Sequence, residues 1–581
     1  MKDFTSIISI LNLREKNFFY SLVVLTFFSG LLETIGIGLI FPLIKILIDG
    51  PSVLLNLNFL SLFHDFIKSS EKETLFLICF SFLLLIIIIK NIFFVFLYWL
   101  YFKFSTSVSV RLASDVINSI INKKYIHFFS QKSSEDANAL ITEINLCIKG
   151  CLEPLCSFLT ELIILLSILC FLFYIHPDGT FIIFFITVSS TFLFYLIIKK
   201  KINLWSSIRI GADEKIFKNI YEIFLGIKEI KIFEAERYVV KNFIKNFTDS
   251  SFVRRKIEVL HQLPKLWIET SAVFAFLIYF IYYLHFKNNF SDIVPLLAVF
   301  VATGFRVSTS LNRLLFNFNS LKFNAPSVRR LETIIHSHKH FLKENLLSDS
   351  LESNEDVKFK SLQFLNVDFS YQEPMKNILK NVTFAINAGE KIGIKGISGV
   401  GKSTFIDLLS GLIVPDKGNI LVNGNLRLDE IKSWKNILGY VPQGHYLVDD
   451  TIKKNIAFGI EDSQIQEEKL LNVLKKTNLD VLINTLPEGL NSIIGDRGSK
   501  LSGGQKQRMI IARALYRSPQ ILIFDESTNA LDSKTENLIL KNIFDKHNNT
   551  TSIIISHDIK ILEKCCDTIY ELEDKSLRKI L

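Results

Sequence analysis

Six long apolar stretches in the first 318 residues constrain the fold more than any other feature of the sequence. A helix needs about twenty mostly apolar residues to cross the hydrocarbon layer of a membrane. In chain order the stretches are 18–48, 75–102, 152–175, 181–198, 266–286 and 293–318. A mean hydropathy of +0.33 over the chain also argues against a disordered chain and against a wholly soluble protein. The first half is therefore predicted to be an α-helical polytopic membrane domain with six transmembrane helices.

The connections between these stretches differ in charge, and this difference predicts their orientation. Segments 103–150 and 199–265 are long, periodic and rich in Lys and Arg, whereas the other three connections carry only Lys68, Lys72 and Lys287. Because Lys and Arg are retained on the cytoplasmic side, we expect both termini and the two long segments to be cytoplasmic. The long segments are predicted to be helices that extend beyond the bilayer. The loop 176–180, HPDGT, is predicted to be a tight turn.

The sixth stretch carries polar residues at helical spacing. They are Arg306, Thr309, Ser310, Arg313, Asn317 and Ser320. One side of this helix is therefore polar through most of its depth, which predicts that it faces a water-filled cavity. Two arginines two turns apart suit an anionic cargo such as phosphate. The alternative is a buried ion-pair network with Glu33, Glu161 or Glu269.

Charge and cysteine content exclude other classes. The net charge of +9 is what basic cytoplasmic loops of a membrane protein produce, and no basic stripe with interleaved aromatic residues is present, so we expect no nucleic-acid partner. The seven cysteines include no CxxC pair and lie mostly in or beside apolar runs. They are interpreted as buried side chains in a reducing compartment.

The second half contains a phosphate-binding motif. Residues 391–395, KIGIK, are predicted to form a strand that leads through GISGVGKS at 396–403 into a helix. Glycines in such a loop let backbone N–H groups point at phosphate oxygens. Lys402 then reaches the β- and γ-phosphates of ATP, and the Ser403 hydroxyl ligates Mg²⁺. The residues assigned to the nucleotide here are Gly396, Ser398, Gly399, Gly401, Lys402, Ser403 and Thr404.

A second strand supplies the carboxylates that hydrolysis needs. The segment 521–526, ILIFDE, is an apolar run that ends in Asp525 and Glu526. Asp525 is expected to hold the metal, and Glu526 to orient or deprotonate the attacking water. An acidic pair after a strand is also a common helix cap, so the assignment depends on the phosphate loop upstream. Together these features predict an α/β P-loop nucleotide-binding domain.

The string LSGGQ at 501–505 makes the chain resemble the ATP-binding cassette (ABC) transporters, whose signature it is. The resemblance extends to Tyr371, where the family stacks an aromatic residue on adenine, and to Gln443, whose counterpart senses Mg²⁺ and the γ-phosphate. NALD at 529–532 resembles the loop linking the two ATP sites, and His557 matches the family's switch histidine. Asn529 and Asp558 depart from the pattern, since many exporters have Ser and Arg there.

The resemblance also implies an assembly. In this family the LSGGQ loop completes the ATP site of a second copy, so Ser502, Gly504 and Gln505 are expected to act across a homodimer interface. One membrane domain at 1–335, a linker at 336–356 and one cassette at 357–581 make up half of what the family needs. Residues near Tyr125 and at 221–226 are candidates for contact with a cassette. Transport is then expected to follow alternating access driven by ATP.

More narrowly, LLETIGIGLIFPLIKIL in the first stretch and scattered basic residues are similar to PglK-type flippases of lipid-linked oligosaccharides. This resemblance implies a diphosphate-bearing lipid as cargo, held by Lys90, Lys265, Arg306 and Arg313. It also implies a multi-pass protein of the bacterial cytoplasmic (inner) membrane. An exporter of drugs or peptides, and an ATP-gated channel or regulator that does not pump, remain as alternatives.

Overall fold

A computed structural model describes residues 2–40, 43–44, 46, 72–130, 136, 138–286, 293–348, 358–371, 377–526, 533–544 and 550–581. The chain divides into two compact units. The first comprises Met1–Lys123 and Gln131–Phe341, and the second comprises Lys124–Ser130 and Leu342–Leu581. The second unit therefore contains a short segment that comes from within the helical half of the sequence.

The chain up to residue 348 is helical wherever the structure describes regular elements. The helices are α1 (Lys2–Ser9), α2 (Leu13–Gly38), α3 (Lys72–Ile121), α4 (His127–Ser130), α5 (Ile144–Cys147), α6 (Glu153–Ile175), α7 (Pro177–Leu225), α8 (Ile227–Ile232), α9 (Glu236–Phe286) and α10 (Ile293–Ser348). The π-helical turns Ala139–Glu143 and Ile148–Leu152 flank α5.

Five described helical segments are long and apolar enough to cross a membrane. They are Leu13–Gly38, Glu73–Ile121, Ala139–Ile175, Pro177–Leu225 and Glu236–Tyr282. The sixth predicted stretch, 293–318, lies within α10. The first predicted stretch continues beyond α2 through residues 39–48, half of which lie outside the described part of the chain. The long helices α3, α7, α9 and α10 contain 50, 49, 51 and 56 residues.

These helices are longer than a bilayer is thick. At about 1.5 Å per residue, a helix of this size is about 75 Å long, whereas the hydrocarbon core is about 30 Å thick. A helix of this length that crosses the bilayer once would have more of its length outside the hydrocarbon layer than inside it. Because α10 runs to Ser348, the first part of the segment assigned to a linker, 336–356, is helical.

The predicted five-residue turn at 176–180 is wrong in extent. Only His176 lies outside a helix, because α6 ends at Ile175 and α7 begins at Pro177. Proline is favoured at the first helical position, and Asp178 in the first turn interacts favourably with the helix dipole. The His176 side chain also accepts a hydrogen bond from the Gly179 N–H at 3.2 Å, so it caps α7. The residues interpreted as a turn are thus a helix start.

The cassette in the second unit contains two sheets. Its strands are β1 (Ser361–Phe369), β2 (Leu379–Asn387), β3 (Lys391–Lys395), β4 (Lys417–Val422), β5 (Leu426–Arg427), β6 (Leu438–Val441), β7 (Ile521–Asp525), β8 (Thr551–Ile555), β9 (Thr568–Glu573) and β10 (Ser576–Lys579). One sheet has the order β10-β9-β3-β8-β7-β6, and the other has the order β2-β1-β4-β5 with antiparallel pairing. In the larger sheet only the β10–β9 pair is antiparallel.

Helices surround the larger sheet. They are α11 (Lys402–Leu409), α12 (Ile452–Ile456), α13 (Glu467–Lys476), α14 (Asp480–Thr485), α15 (Gly503–Tyr516), α16 (Ser533–Ile543) and α17 (Ile559–Cys565). Every residue of β7 and β8 is buried, as expected for parallel strands with both faces covered. The order β3-β8-β7-β6 places the carboxyl ends of four parallel strands at one edge, where α/β folds bind ligands. The predicted helical membrane domain followed by an α/β cassette is confirmed.

Candidate functional site

The phosphate loop connects the carboxyl end of β3 to the first turn of α11. Gly399 and Gly401 have φ angles of 82° and 111°, a left-handed region that favours glycine. A Cβ added at Gly396 would lie 3.1 Å from the Leu572 carbonyl oxygen, so this position also has little room. Gly401 is the N-cap of α11. The loop therefore delivers the chain to a helix N-terminus, whose backbone N–H groups favour anions.

The carboxylate of Glu526 joins two other predicted site residues. The Lys402 ammonium donates to Glu526 Oε1 at 2.6 Å, and the Gln443 amide nitrogen donates to Oε2 at 2.9 Å. Lys402 also donates to the Gly396 carbonyl at 2.8 Å. Glu526 has a φ of 47°, and this sharp turn after β7 directs the chain out of the strand. Three groups predicted from separate motifs are thus in direct contact.

Asp525, the neighbouring carboxylate, is buried. Tyr440 at the end of β6 donates its hydroxyl to Asp525 Oδ2 at 3.4 Å. Burial raises the pKa of Asp525, and the Tyr440 hydrogen bond opposes that shift by favouring the ionised form. An incoming cation would favour ionisation further, since it would offset the cost of the buried negative charge.

The side chains assigned to Mg²⁺ fit that ion chemically. Ser403 is exposed in the first turn of α11. The predicted set consists of its hydroxyl, the carboxylate of Asp525 and the amide of Gln443. All three supply oxygen, the donor that Mg²⁺ prefers, and Mg²⁺ usually takes few protein ligands when it arrives with phosphates. Within the described residues no group of three or more His, Cys, Asp or Glu side chains could hold a metal ion alone. The donor set fits a metal that is carried by a nucleotide.

Tyr371 lies beside the phosphate loop. Its hydroxyl is 3.2 Å from Thr404 Oγ1 and donates to Asp407 Oδ2 at 3.4 Å. Asp407 was not predicted as a site residue, and the only signal in the sequence is a carboxylate within an apolar helix. Burial raises the pKa of Asp407 to about 6, and the Tyr371 hydrogen bond partly opposes this rise. The ring assigned to adenine is therefore bonded to the helix that follows the phosphate loop.

His557 follows β8, the strand between β3 and β7, and its side chain is exposed. The departure at Asp558 has a structural reason. Asp558 is the N-cap of α17, and its carboxylate accepts a hydrogen bond from the Lys560 N–H at 2.9 Å. Asp is among the most favourable residues at this position. The other departure, Asn529, and the rest of segment 529–532 lie outside the described residues.

The signature loop is the start of α15. Ser502 is the N-cap, its hydroxyl accepts from the Gln505 N–H at 3.3 Å, and the Gln505 side chain accepts from the Ser502 N–H at 2.8 Å. This is a capping box, in which both side chains satisfy backbone donors of the helix end. Gln505 is one of the residues predicted to bind nucleotide, but in this structure its side-chain oxygen accepts a hydrogen bond from within its own loop. Ser502 is exposed, and Gly504 is half-buried.

The polar face of α10 meets carboxylates from two other helices. Arg306 donates to Glu33 at 2.8 Å and lies 3.6 Å from Glu161, while Arg313 donates to Glu161 at 2.7 Å. Lys90 completes the cluster at 3.2 Å from Glu33. The two arginines therefore form an ion-pair network, which was the alternative that the sequence left open. Three basic and two acidic groups leave one positive charge in surplus.

Two further residues are placed apart from this cluster. Lys265 is an exposed residue of α9, and in the described part of the chain no ion pair links it to Glu33 or Glu161. Glu269 is also exposed on α9. Beside the cluster, a cavity of about 290 Å³ is lined by α2, α3, α6 and α10 and includes Glu161. Its walls are mostly apolar and include a group of aromatic side chains: Phe19, Phe94, Tyr98, Tyr101, Phe102 and Phe316.

Of the two predicted coupling elements, one belongs to the cassette unit. Lys124–Ser130 falls within the second unit, and Ile126 packs against the core that includes β1, β2 and α11. The other element, 221–226, closes α7 in the first unit, where Gly226 is the C-cap.

Comparison with known proteins identifies the family. The ABC transporter profile matches residues 379–529, and the ABC transporter transmembrane region matches residues 21–307. The chain is 31% identical over 402 residues to the mitochondrial iron-sulfur clusters transporter ATM1 of Saccharomyces cerevisiae, covering 67% of this chain and 56% of that protein. It is 30% identical over 470 residues to a putative export ATP-binding/permease protein of Rickettsia bellii, covering 78% of each chain.

A solved structure shares the fold. A bacterial Atm1-family ABC exporter with ATP bound superposes with a TM-score of 0.77 and 20% sequence identity, covering 97% of this chain and 95% of that one. The alignment to the yeast relative, by contrast, spans only about half of that protein's length. The two matched regions, the Rickettsia relative and the shared fold agree on one assignment. The chain belongs to the ABC transporter family and carries one transmembrane region and one ATP-binding cassette, the arrangement of a half-size exporter.

Proposed function

We propose that the protein is a homodimeric, ATP-driven transporter that exports or flips an amphipathic, phosphate-bearing lipid by alternating access. The observation that carries the ATPase part is the contact of Glu526 with both Lys402 and Gln443 at the edge of the parallel sheet. Phosphate-binding, metal-sensing and water-activating groups meet there, as hydrolysis of a nucleoside triphosphate requires.

The chemistry follows from these residues. Lys402 and the backbone N–H groups of the phosphate loop bind the β- and γ-phosphates, and Glu526 is thereby released from Lys402. Its carboxylate then accepts a proton from, or orients, the attacking water. Ser403, Asp525 and Gln443 are the residues that would hold Mg²⁺ brought in with ATP, and the ion would supply positive charge against the phosphates. His557, after β8, contacts the γ-phosphate, and Ser502 and Gly504 of a second copy complete the site.

The cargo assignment rests on charge within the membrane domain. Lys90, Arg306 and Arg313 outnumber Glu33 and Glu161 by one, and the Arg313 side chain remains 55% exposed while its partner Glu161 is 4% exposed. Phosphate oxygens have the geometry to accept hydrogen bonds from the guanidinium N–H groups of Arg313 that Glu161 does not use. This surplus, together with the PglK-type resemblance, supports a lipid with an anionic head. Lys265 contributes as a basic group on α9.

A second cargo class is favoured by the aromatic cavity. Its volume of about 290 Å³ and its Phe and Tyr walls suit an apolar, drug-like molecule, since ligand sites are mostly apolar cavities of roughly this size upward. An exporter of drugs or peptides therefore remains as the alternative to a lipid flippase. A channel or regulator without pumping is disfavoured by the hydrolytic groups at Lys402 and Glu526.

The proposed location is a bacterial cytoplasmic membrane, with both termini and the cassette in the cytoplasm. The two long connections 103–150 and 199–265 carry the basic residues, and this bias supports that orientation.

Reconstitution in lipid vesicles tests the proposal. A lipid diphosphate should stimulate ATP hydrolysis and change leaflet, whereas a neutral lipid of the same chain length should do neither. Arg306→Ala combined with Arg313→Ala should reduce lipid movement more than basal ATP hydrolysis. Arg237→Ala with Arg255→Ala, at two exposed arginines of α9, controls for the loss of two positive charges. Unchanged lipid movement in the Arg306 and Arg313 double variant would contradict the proposal of a phosphate-bearing cargo.

A charge-matched pair of variants separates recognition by Arg313 from recognition by net charge. Arg313→Gln alone removes the surplus positive charge, and adding Glu161→Gln restores it without the arginine. Recovery in the double variant assigns recognition to the net charge of the cluster. Continued loss assigns it to the guanidinium of Arg313.

A further inference from the structure

The short segment Lys124–Ser130 is part of the cassette unit although it lies between helices of the membrane half. It contains the single turn α4, and Ile126 packs against the main cassette core. The chain on its amino-terminal side is continuous with α3, one of the candidate membrane-spanning helices. Any contact that this segment makes at the nucleotide site therefore joins that site to a segment covalently attached to the membrane helices.

Such a contact exists at Tyr371. The Phe129 ring centroid lies 4.7 Å from that of Tyr371, with the ring planes tilted by 51°. Phe369, at the end of β1, contacts the same tyrosine edge-on at 5.1 Å. Tyr125 in turn packs edge-on against Phe129 at 5.2 Å. Tyr371 is therefore packed against an aromatic side chain of its own strand end and against one from the 124–130 segment.

The other end of Tyr371 is also held. Its hydroxyl contacts Thr404 and Asp407 on α11 at 3.2 and 3.4 Å. Ring contacts at one end and hydrogen bonds at the other leave the side chain little freedom to rotate. Phe129 itself is 54% exposed, so the contact contributes little to a hydrophobic core. Its geometric effect is on the orientation of the Tyr371 ring.

We propose that Phe129 is a positioning residue for the nucleotide base: it sets the plane of the Tyr371 ring on which adenine stacks, and so links occupancy of the base site to the 124–130 segment. The inference rests on the role proposed for Tyr371 in binding ATP. Linkage makes the effect reciprocal, because a base that favours one ring orientation also favours the Phe129 contact that matches it. Phe129 does not touch the phosphates or the attacking water in this scheme.

Steady-state ATP hydrolysis by the full-length protein in lipid nanodiscs tests the first half of the proposal. Phe129→Ala should raise the KM for ATP by about two- to tenfold, the range that one aromatic pair supports. Its kcat should stay close to that of the wild type, because Lys402 and Glu526 are untouched. Phe129→Tyr should restore the KM. The control is Phe128→Ala, which removes the adjacent exposed ring and should leave the KM unchanged.

Fluorescence of Phe129→Trp tests the link to the base. ATP should shift its emission relative to the same substitution at Phe128, and inorganic triphosphate, which has the phosphates without the base, should not. A KM for Phe129→Ala equal to that of Phe128→Ala, or an equal shift with triphosphate, would overturn the proposal. Tyr371→Ala separates this proposal from the role of Tyr371 on which it rests. If Tyr371→Ala raises the KM for ATP and Phe129→Ala does not, only the role of Phe129 is rejected. If neither variant raises the KM, the role of Tyr371 is rejected as well.

Discussion

Glu526 and Lys402 form an ion pair at 2.6 Å in the cassette, with side chains only 16% and 10% exposed. The second carboxylate oxygen of Glu526 accepts a hydrogen bond from Gln443 at 2.9 Å. Lys402 cannot bind the phosphates of ATP fully while Glu526 holds it. In the proposed mechanism, nucleotide binding therefore exchanges one anionic partner of Lys402 for another, and the carboxylate released by this exchange is the one proposed to act on water.

Glu526→Gln should abolish hydrolysis and strengthen ATP binding. An amide cannot accept a proton from water, and loss of a general base typically costs on the order of 10²- to 10⁴-fold in rate. The same neutral side chain competes less well for Lys402, so ATP should bind more tightly and hold the cassettes closed. ATP hydrolysis and equilibrium ATP binding by the purified variant are the measurements. Hydrolysis at the wild-type rate would contradict the role given to Glu526.

Glu571→Gln provides the control for that substitution. Glu571 pairs with Lys395 at 3.0 Å, so it also belongs to a Glu–Lys pair of the cassette, but both side chains are about one-third exposed. Exposed pairs contribute about 0–1 kcal/mol. Both hydrolysis and ATP affinity should therefore remain those of the wild type.

Asp407→Asn should change how stability depends on pH. Burial raises the pKa of Asp407 from 3.8 to about 6 in the folded chain. The folded state therefore holds this proton more tightly than the unfolded state, and the resulting stabilisation is lost as pH rises through about 6. Asparagine removes this loss, so the variant should unfold at a higher temperature than the wild type at pH 7.5, with the difference shrinking toward pH 5.

Thermal unfolding at pH 5, 6 and 7.5 makes this comparison. Asp429→Asn, at an exposed carboxylate paired with Arg427 at 2.8 Å, is the control. Its difference from the wild type should stay the same across the three pH values. If the difference in unfolding temperature between Asp407→Asn and the wild type is also the same at all three pH values, the Asp407 carboxyl does not titrate in that range.

Arg306→Ala should destabilise the membrane unit more than Arg313→Ala. Arg306 is 17% exposed and lies beside both Glu33 and Glu161, so its removal leaves buried carboxylates without a main partner. Breaking a buried pair in this way costs about 3–5 kcal/mol. Arg313 is half exposed, and among the described residues its ion pair is with Glu161, so water can replace part of this interaction.

The measurement is thermal unfolding of the two purified variants. Adding Glu33→Gln to Arg306→Ala should recover part of the loss, since it removes a buried carboxylate that would keep only the longer contact with Lys90, at 3.2 Å, among its described ion pairs. Equal destabilisation by the two arginine variants would mean that Arg306 is not the centre of the cluster.

Local motifs were predictable from the sequence, and contacts between distant residues were not. The phosphate loop was predicted because glycine spacing, a preceding strand and a following helix are all features of one short segment. The contact of Glu526 with Lys402 and Gln443 depends on the strand order β3-β8-β7-β6, which spacing along the chain does not encode. The same is true of Asp407, because its contact with Tyr371 joins residues 36 positions apart in the chain.

The membrane half shows the same division. Helical periodicity placed Arg306 and Arg313 on one face, but their partners depend on how neighbouring helices are rotated. Glu33 and Glu161 face the arginines, whereas Glu269, equally plausible in the sequence, is exposed. The turn at 176–180 was misread because Pro and Asp favour both turns and helix starts.

Gly150→Ala and Gly211→Ala should have opposite effects on stability. Gly150 lies in the π-helical turn Ile148–Leu152, and a Cβ there would be 2.4 Å from Asn324 Nδ2 on α10. The Gly150 carbonyl also accepts a hydrogen bond from Ser320 at 3.0 Å, so the two segments cannot separate without losing it. Overpacking of this kind costs about 1–3 kcal/mol. Gly211, inside α7, has no atom within 4 Å of its added Cβ.

Alanine at Gly211 should therefore stabilise the unit by up to about 1 kcal/mol, because glycine in a helix interior is unfavourable. Both substitutions add one methyl group within a helical segment of the first unit, which makes each the control for the other. Thermal unfolding of the purified variants should show a lower midpoint for Gly150→Ala and an equal or higher one for Gly211→Ala. A lower midpoint for Gly211→Ala would mean that helix propensity does not govern stability at that position. A raised midpoint for Gly150→Ala would show that α10 moves away from the π-helical turn at little cost, so the close approach at Asn324 would not hold the two segments together.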